Sequence, residues 1–222
     1  MFKYLLIVEG IADIIFFRDY LKFLYIDLEV LEKKEEKEQV LKSENLEIII
    51  LKSEGYTSLS KIKTRIQENI DDDYTVLVIQ DADDAGKDKL NGGVKLREKY
   101  LEKEKTKLKI SFSIFLFPNH KDDGDLETLL LRITQDDKYK PFDNCHTKYI
   151  DCLENFLKEE TIKDFRKEKN YIYTYLSLYE GHRFAKERDR SYGIDYWNFE
   201  SDALIPLKNF FETHIVINRV TT

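Results

Sequence analysis

The stretch YLLIVEGIADIIFF, residues 4–17, decides the fold. An unbroken apolar run stops at Glu9, a glycine follows, and Ile14, Ile15, Phe17, Leu21 and Leu24 then fall on one side of a helix predicted over Ile11 to Tyr25. A strand that is apolar at every position, not at alternate ones, is buried on both faces, as in a parallel sheet covered by helices. The pattern returns in YTVLVIQDADDAG, residues 74–86, where a β-branched strand over 75–79 leads into Asp81 and Asp83. Two strand ends therefore present three carboxylates.

Outward from these two units, LEIIIL (46–51) and ISFSIFLF (110–117) supply two more strands. Leu59 to Ile70 and Val94 to Leu108 carry helical spacing between them. Alternating strands and helices predict an α/β fold with a mostly parallel central sheet flanked by helices, whose ligands sit at the carboxyl ends of the strands. Residues 31–45 are highly charged and read as a link, either loop or exposed helix. The division expected is an α/β core over residues 1–135 and a helical C-terminal elaboration over 136–222, packed on the core as one structural domain. In that elaboration Ser201 is expected to cap a helix that Pro206 keeps from being long and uninterrupted.

Composition excludes several classes. No apolar run approaches the roughly 18 residues that span a bilayer. The first ten residues are too short and too soon acidic for a signal peptide, so a soluble cytoplasmic protein without a membrane partner is expected. Cys145 and Cys152 lack zinc-ligand spacing and read as reduced thiols. A net charge of −7 sits awkwardly with nucleic-acid binding, but the charge is unevenly spread. From Lys87 to Lys109 nine basic residues face four acidic ones, which suits either phosphate steering or a solvated helix face.

Asp81 and Asp83 can project into one volume and offer hard oxygen to Mg²⁺ or Mn²⁺. Taken alone, DADDAG also suits a turn and helix cap. Glu9, at a second strand end, turns the balance toward a metal site or a proton-transfer group. Rival motifs fail on their letters. An EF-hand starting at Asp81 would meet Ala85 and Gly92 at ligand positions, and neither GxxxxGK[ST] nor GxSxG occurs. A haloacid-dehalogenase-like DxD would not continue into Asp84-Ala85, and it has no place for the Glu9 unit.

LLIVEG followed later by VLVIQDADDAG resembles the TOPRIM domain of topoisomerases, primases and OLD-type nucleases. IFLFPNHKDDGDLETLLL (114–131) and DYWNFESDALIPLKNFFE (195–212) look more narrowly like a bacterial, TOPRIM-related family of unknown function. The resemblance implies Glu9 as general acid/base or metal ligand, with Asp81 and Asp83 as the catalytic pair holding Mg²⁺ or Mn²⁺. It adds Asp13, matching an extra acid of OLD-type nucleases, and Glu127 as a further acidic contributor. Asp13 equally suits a helix N-terminus, and Glu127 a capping box or an exposed surface. Lys87 and Lys121 are candidates to neutralise a phosphate, Asn119 and His120 to touch substrate.

The chain lacks a DNA-gating region, a strand-passage tyrosine and an ATPase domain, so the expectation is metal-dependent phosphodiester hydrolysis on DNA or RNA. The alternative is a non-catalytic TOPRIM-like binding or regulatory module in nucleic-acid processing or defence. Replacing Asp81 and Asp83 with Asn is expected to spare the fold and slightly stabilise the metal-free protein. Tyr171, Tyr173, Tyr175, Tyr179, Tyr192, Tyr196 and Trp197 are read mainly as packing residues, with base stacking as the alternative.

Overall fold

A computed structural model describes residues 1–31, 37–53, 55–86, 90–134, 136–156, 165, 167–180 and 190–215. Its strands are β1 (Phe2–Val8), β2 (Glu29–Val30), β3 (Glu38–Lys42), β4 (Leu46–Lys52), β5 (Thr75–Asp81) and β6 (Ser113–Phe117). Its α-helices are α1 (Ile11–Leu24), α2 (Lys63–Asp71), α3 (Val94–Leu108), α4 (Leu126–Arg132), α5 (Asp136–Phe156), α6 (Lys167–Glu180) and α7 (Ile205–His214). The sheet order is β2-β3-β4-β1-β5-β6. Strands β4, β1, β5 and β6 run parallel, while β3 pairs antiparallel with β4 and β2 pairs antiparallel with β3.

Period-two alternation divides the sheet's side chains between two cores. Tyr4, Leu6, Val8, Ile48, Ile50, Leu77, Ile79, Phe115 and Phe117 pack on one face against Phe16, Phe17, Tyr20 and Leu21 of α1. Leu5, Ile7, Ile49, Val76, Val78 and Leu116 meet Ile66 of α2 and Leu101 and Leu108 of α3 on the other. A strand covered on both sides has no polar face to show, hence the continuous apolar runs. Because β4 flanks β1 on one side and β5 on the other, the strand order reverses at β1. The crevice above the carboxyl ends of β1 and β5 is the topological switch point of this doubly wound sheet.

The charged link resolves differently from either expectation. Residues 38–42 form β3, paired with β4 in the register Leu41↔Ile48, and Ser43 N–H closes the hairpin on Leu46 O at 2.8 Å. Gln39 and Leu41 are buried and Val40 is half-buried against the second core, which left too little apolar signal among the surrounding lysines and glutamates. The helix expected over 59–70 begins later, at Lys63, after a 3-10 turn at Tyr56–Ser58. Strand β6 begins at Ser113, although Ile110 and Phe112 before it are buried.

The C-terminal segments complete the first core. Tyr192 meets Phe16 edge-on at 5.7 Å between ring centroids, Phe211 meets Phe17 at 5.9 Å, and Trp197 lies 5.2 Å from Tyr175 and 5.6 Å from Tyr192. Tyr175, Tyr192 and Trp197 are buried, so these rings pack and are closed to a nucleobase; Tyr173 is exposed, and the Tyr179 side chain lies outside the described part. Ser201 Oγ accepts from Ala203 N–H at 3.3 Å ahead of α7, and Pro206 occupies the first turn of that helix, where its missing N–H costs nothing. Cys145 and Cys152 are free and exposed. Among the described residues no helix is long and apolar enough to cross a membrane.

Candidate functional site

Glu9 follows directly on β1 and Asp81 ends β5, and the register of the two neighbouring strands brings residues 72 positions apart into contact. The Asp81 N–H donates to Glu9 Oε1 at 3.1 Å. Asp81 Oδ1 in turn accepts from Leu126 N–H, the first amide of α4, at 3.1 Å. That contact places an anion at a helix N-terminus, where unpaired amides favour it. Asp13, in the first turn of α1, accepts from Gly10 N–H at 3.0 Å through Oδ2. Its other oxygen is buried with no hydrogen-bond partner among the described residues.

Asp13 thus caps its helix and also lies close enough to Glu127 for their charges to interact. Glu127, in the first turn of α4, is neither cap nor surface acid. The capping box of α4 is made by Asp125 and Thr128, with Thr128 N–H donating to Asp125 Oδ1 at 2.9 Å. The Glu127 carboxylate is largely buried and lies 3.4 Å from Lys169 Nζ on α6.

Like charges without water disfavour ionisation. Burial first, then the charges of Asp13 and Asp83, raise the Glu9 pKa to about 7, against the pull of Arg97 and the Asp81 amide. Burial likewise raises Asp13 to about 7, with Glu127 adding to it and the Gly10 amide opposing. Asp81 is raised well above the carboxylate range by burial, then by Asp13, Glu9, Asp125 and Glu127. Glu127 is raised by burial and Asp125, with Lys169 holding it down.

Asp83 has a different environment from Asp81. Its φ of 58° puts it in the left-handed region, and an antiparallel bridge to Gly124 holds it there, with Asp83 N–H donating to Gly124 O at 2.7 Å. Its carboxylate pairs with the guanidinium of Arg97, a residue of α3 that is fully buried. Sequence reasoning counted Arg97 only as one of many basic residues. The available signal was its place on the apolar stripe of α3, one turn before Leu101.

The loop after β6 fastens the rest. Asp123 Oδ1 accepts from Val94 N–H at 2.9 Å and so caps α3 from outside the helix. Gly93, at φ 86°, leaves room for this, since a Cβ there would stand 2.9 Å from the Ala85 Cβ and 3.1 Å from the Asp123 carboxylate oxygens. Replacing Asp123 with Ala is expected to cost about 1 kcal/mol. A drop of roughly 2–4 °C in a calorimetric melt would show it; an unchanged melt would mean the cap is idle.

Asn119 is occupied within its own turn. Its Oδ1 accepts from Lys121 N–H at 3.1 Å and Asp122 N–H at 2.8 Å, and its amide donates to Asp122 Oδ2 at 2.8 Å. His120 folds back on β6, where Nδ1 accepts from Leu116 N–H at 3.1 Å while His120 N–H donates to Leu116 O at 2.7 Å. Its ring stacks on Phe115. The geometry thus gives both residues structural work, Lys121 stands exposed in the same turn, and Lys87 lies outside the described residues.

A doubly wound α/β sheet with buried and half-buried carboxylates gathered at its switch point defines the class of protein. The chain belongs to a family described as a protein of unknown function (DUF3226), whose pattern matches residues 3–215. No curated protein matches it. It is similar in fold to the crystal structure of hypothetical protein PH0156 from Pyrococcus horikoshii OT3, at 18% identity and a TM-score of 0.51, covering 82% of this chain and 83% of that one.

Proposed function

We propose that the chain is a metal-dependent phosphodiesterase acting on nucleic acid. The observation that carries this reading is the junction of Glu9 and Asp81 at the switch point, with Asp13 close enough to raise the proton affinity of both and Glu127 that of Asp81. The donor set fits Mg²⁺ or Mn²⁺ because every member is a hard oxygen, and the partnerless Asp13 oxygen is a buried acceptor awaiting a charge. Glu9, Asp13, Asp81 and Glu127 would hold the ion, with Asp83 beside them. Such an ion polarises a phosphate oxygen and lowers the pKa of bound water.

The protein's own part is acid–base and positional. Glu9 would either join the ligands or, left outside them with its metal-free pKa near 7, hold or release a proton at neutral pH, as a general acid/base requires. The α4 amide keeps Asp81 oriented. Among the described residues no three His, Cys, Asp or Glu side chains form a ready-made metal group. The reading therefore rests on charge and placement and not on a finished cage.

That same fact, with Asp83 already neutralised by Arg97, favours a second reading, a non-catalytic binding or regulatory module. Cleavage of single-stranded, duplex and structured DNA and RNA in Mn²⁺ or Mg²⁺ separates the two. The hydrolase reading expects cleavage that chelation abolishes and that Glu9→Gln lowers about 100-fold or more. A protein inactive on every substrate yet raised in melting temperature by Mn²⁺ would establish the binding module instead.

A further inference from the structure

The lysines of α3 are divided between two uses. Lys105 lies 2.5 Å from Glu102, and Lys107 lies 2.9 Å from Glu104, so the acids of those turns are neutralised within the helix. Lys95, Lys99 and Lys103 are exposed and form no ion pair among the described residues. Spaced four residues apart, they form one row along the solvent face, with about 6 Å of rise between neighbours and about 12 Å from first to last. Glu98 stands on the flank of this row, its carboxylate 3.8 Å from His120.

The row is anchored to the acid site. Gly93 N–H donates to Ala82 O at 2.8 Å, Asp123 caps Val94, and Arg97 on the inner face of the same turn pairs with Asp83. Lys95 therefore starts the row within one helical turn of the DxD segment, and Lys99 and Lys103 carry it away along the outside of the molecule. In a chain of net charge −7, three unpaired cations in line are a local reversal of sign.

We propose that Lys95, Lys99 and Lys103 form a rail for the phosphates of a single polynucleotide strand entering or leaving the acid site. This rests on the phosphodiester reading of that site. A single row at about the separation of consecutive phosphates suits one backbone; a duplex would present two. Each lysine contacts one phosphate and releases its condensed counterions, which makes the contact sequence-independent and salt-sensitive.

The test is the affinity of the full chain for a fluorescein-labelled oligo-dT or oligo-U, read by anisotropy in EDTA from 50 to 200 mM salt. The K95Q/K99Q/K103Q variant is compared with wild type and with K22Q/K148Q/K208Q, which removes the same charge from other exposed positions. The rail variant should bind about tenfold or more weakly at low salt, with the slope of log K against log salt reduced by about 2. The scattered variant should keep the wild-type slope, and circular dichroism should show all three folded.

An unchanged slope in the rail variant, an equal loss in the scattered variant, or a wild type that binds neither strand overturns the rail. Because EDTA suppresses cleavage, binding is scored apart from chemistry. Metal-dependent cleavage with an unchanged slope would overturn the rail alone. Rail-dependent binding by a protein that cleaves nothing would overturn the hydrolase reading alone.

Discussion

Replacing Asp83 with Asn is expected to lower the melting temperature by roughly 6–12 °C, whereas the same replacement at Asp81 is expected to raise it in metal-free buffer at pH 8. Asn keeps the shape and tolerates the left-handed backbone at position 83, so the change isolates charge. What it removes is the carboxylate facing a guanidinium with no solvent exposure. Breaking one side of a buried pair costs about 3–5 kcal/mol, and the 30% exposure of the Asp83 side chain puts the cost at the lower end. At roughly 2–4 °C per kcal/mol for a chain of this size, the stated drop follows. Asp81 is surrounded by acids, and losing its charge removes repulsion. The expectation of a slight stabilisation therefore divides, with Asp83 as the exception. Adding Arg97→Met to Asp83→Asn should recover at least half the loss; equal melts for the two single variants would defeat the assignment.

Stability in EDTA falls as pH rises from about 5 to about 8. Glu9 and Asp13 carry folded-state pKa values near 7, and Asp81 and Glu127 are also raised. Between the ordinary carboxyl range near 4 and about 7, the folded state keeps protons that the unfolded chain releases. The slope of stability with pH is then negative through that window and levels above it. His214, with its pKa lowered by burial, pulls the other way but is one group against four. The lowered carboxyls of Glu47 and Asp122 act below the window. The melting temperature should drop by several degrees from pH 5 to pH 8, and Asp13→Asn, which keeps an acceptor for the Gly10 amide, should flatten the profile. Mn²⁺ at pH 8 should restore part of the loss. A profile that rises over this range in wild type would refute the buried-acid account.

The acid site was legible where strand ends carried it. Glu9 and Asp81 follow runs so apolar that strand identity, parallel packing and the site-bearing end all follow from two-sided burial. Asp83 was legible as an acid but not in its partner, because pairing with Arg97 depends on which face of α3 turns inward. Lys169 was invisible as a neighbour of Glu127, since 42 residues separate them and only tertiary packing joins α4 to α6. Strand β3 hid for the opposite reason, as a short, half-buried strand with only two fully buried residues looks like a charged loop. His120 and Asn119 look alike in sequence whether they face a ligand or brace a turn, and their hydrogen bonds put them to bracing.

The aromatic face of α1 has a consequence in the order of synthesis. Phe16, Phe17 and Tyr20 are made more than 170 residues ahead of their partners Tyr192, Phe199 and Phe211. At ~5–20 residues per second, a growing chain carries that surface uncovered for roughly 10–40 s before its cover exists. The nascent polypeptide is therefore a natural client for chaperones that shield aromatic surface, and a ribosome stalled just before Tyr192 would release a product with its sheet covered on one side and open on the other.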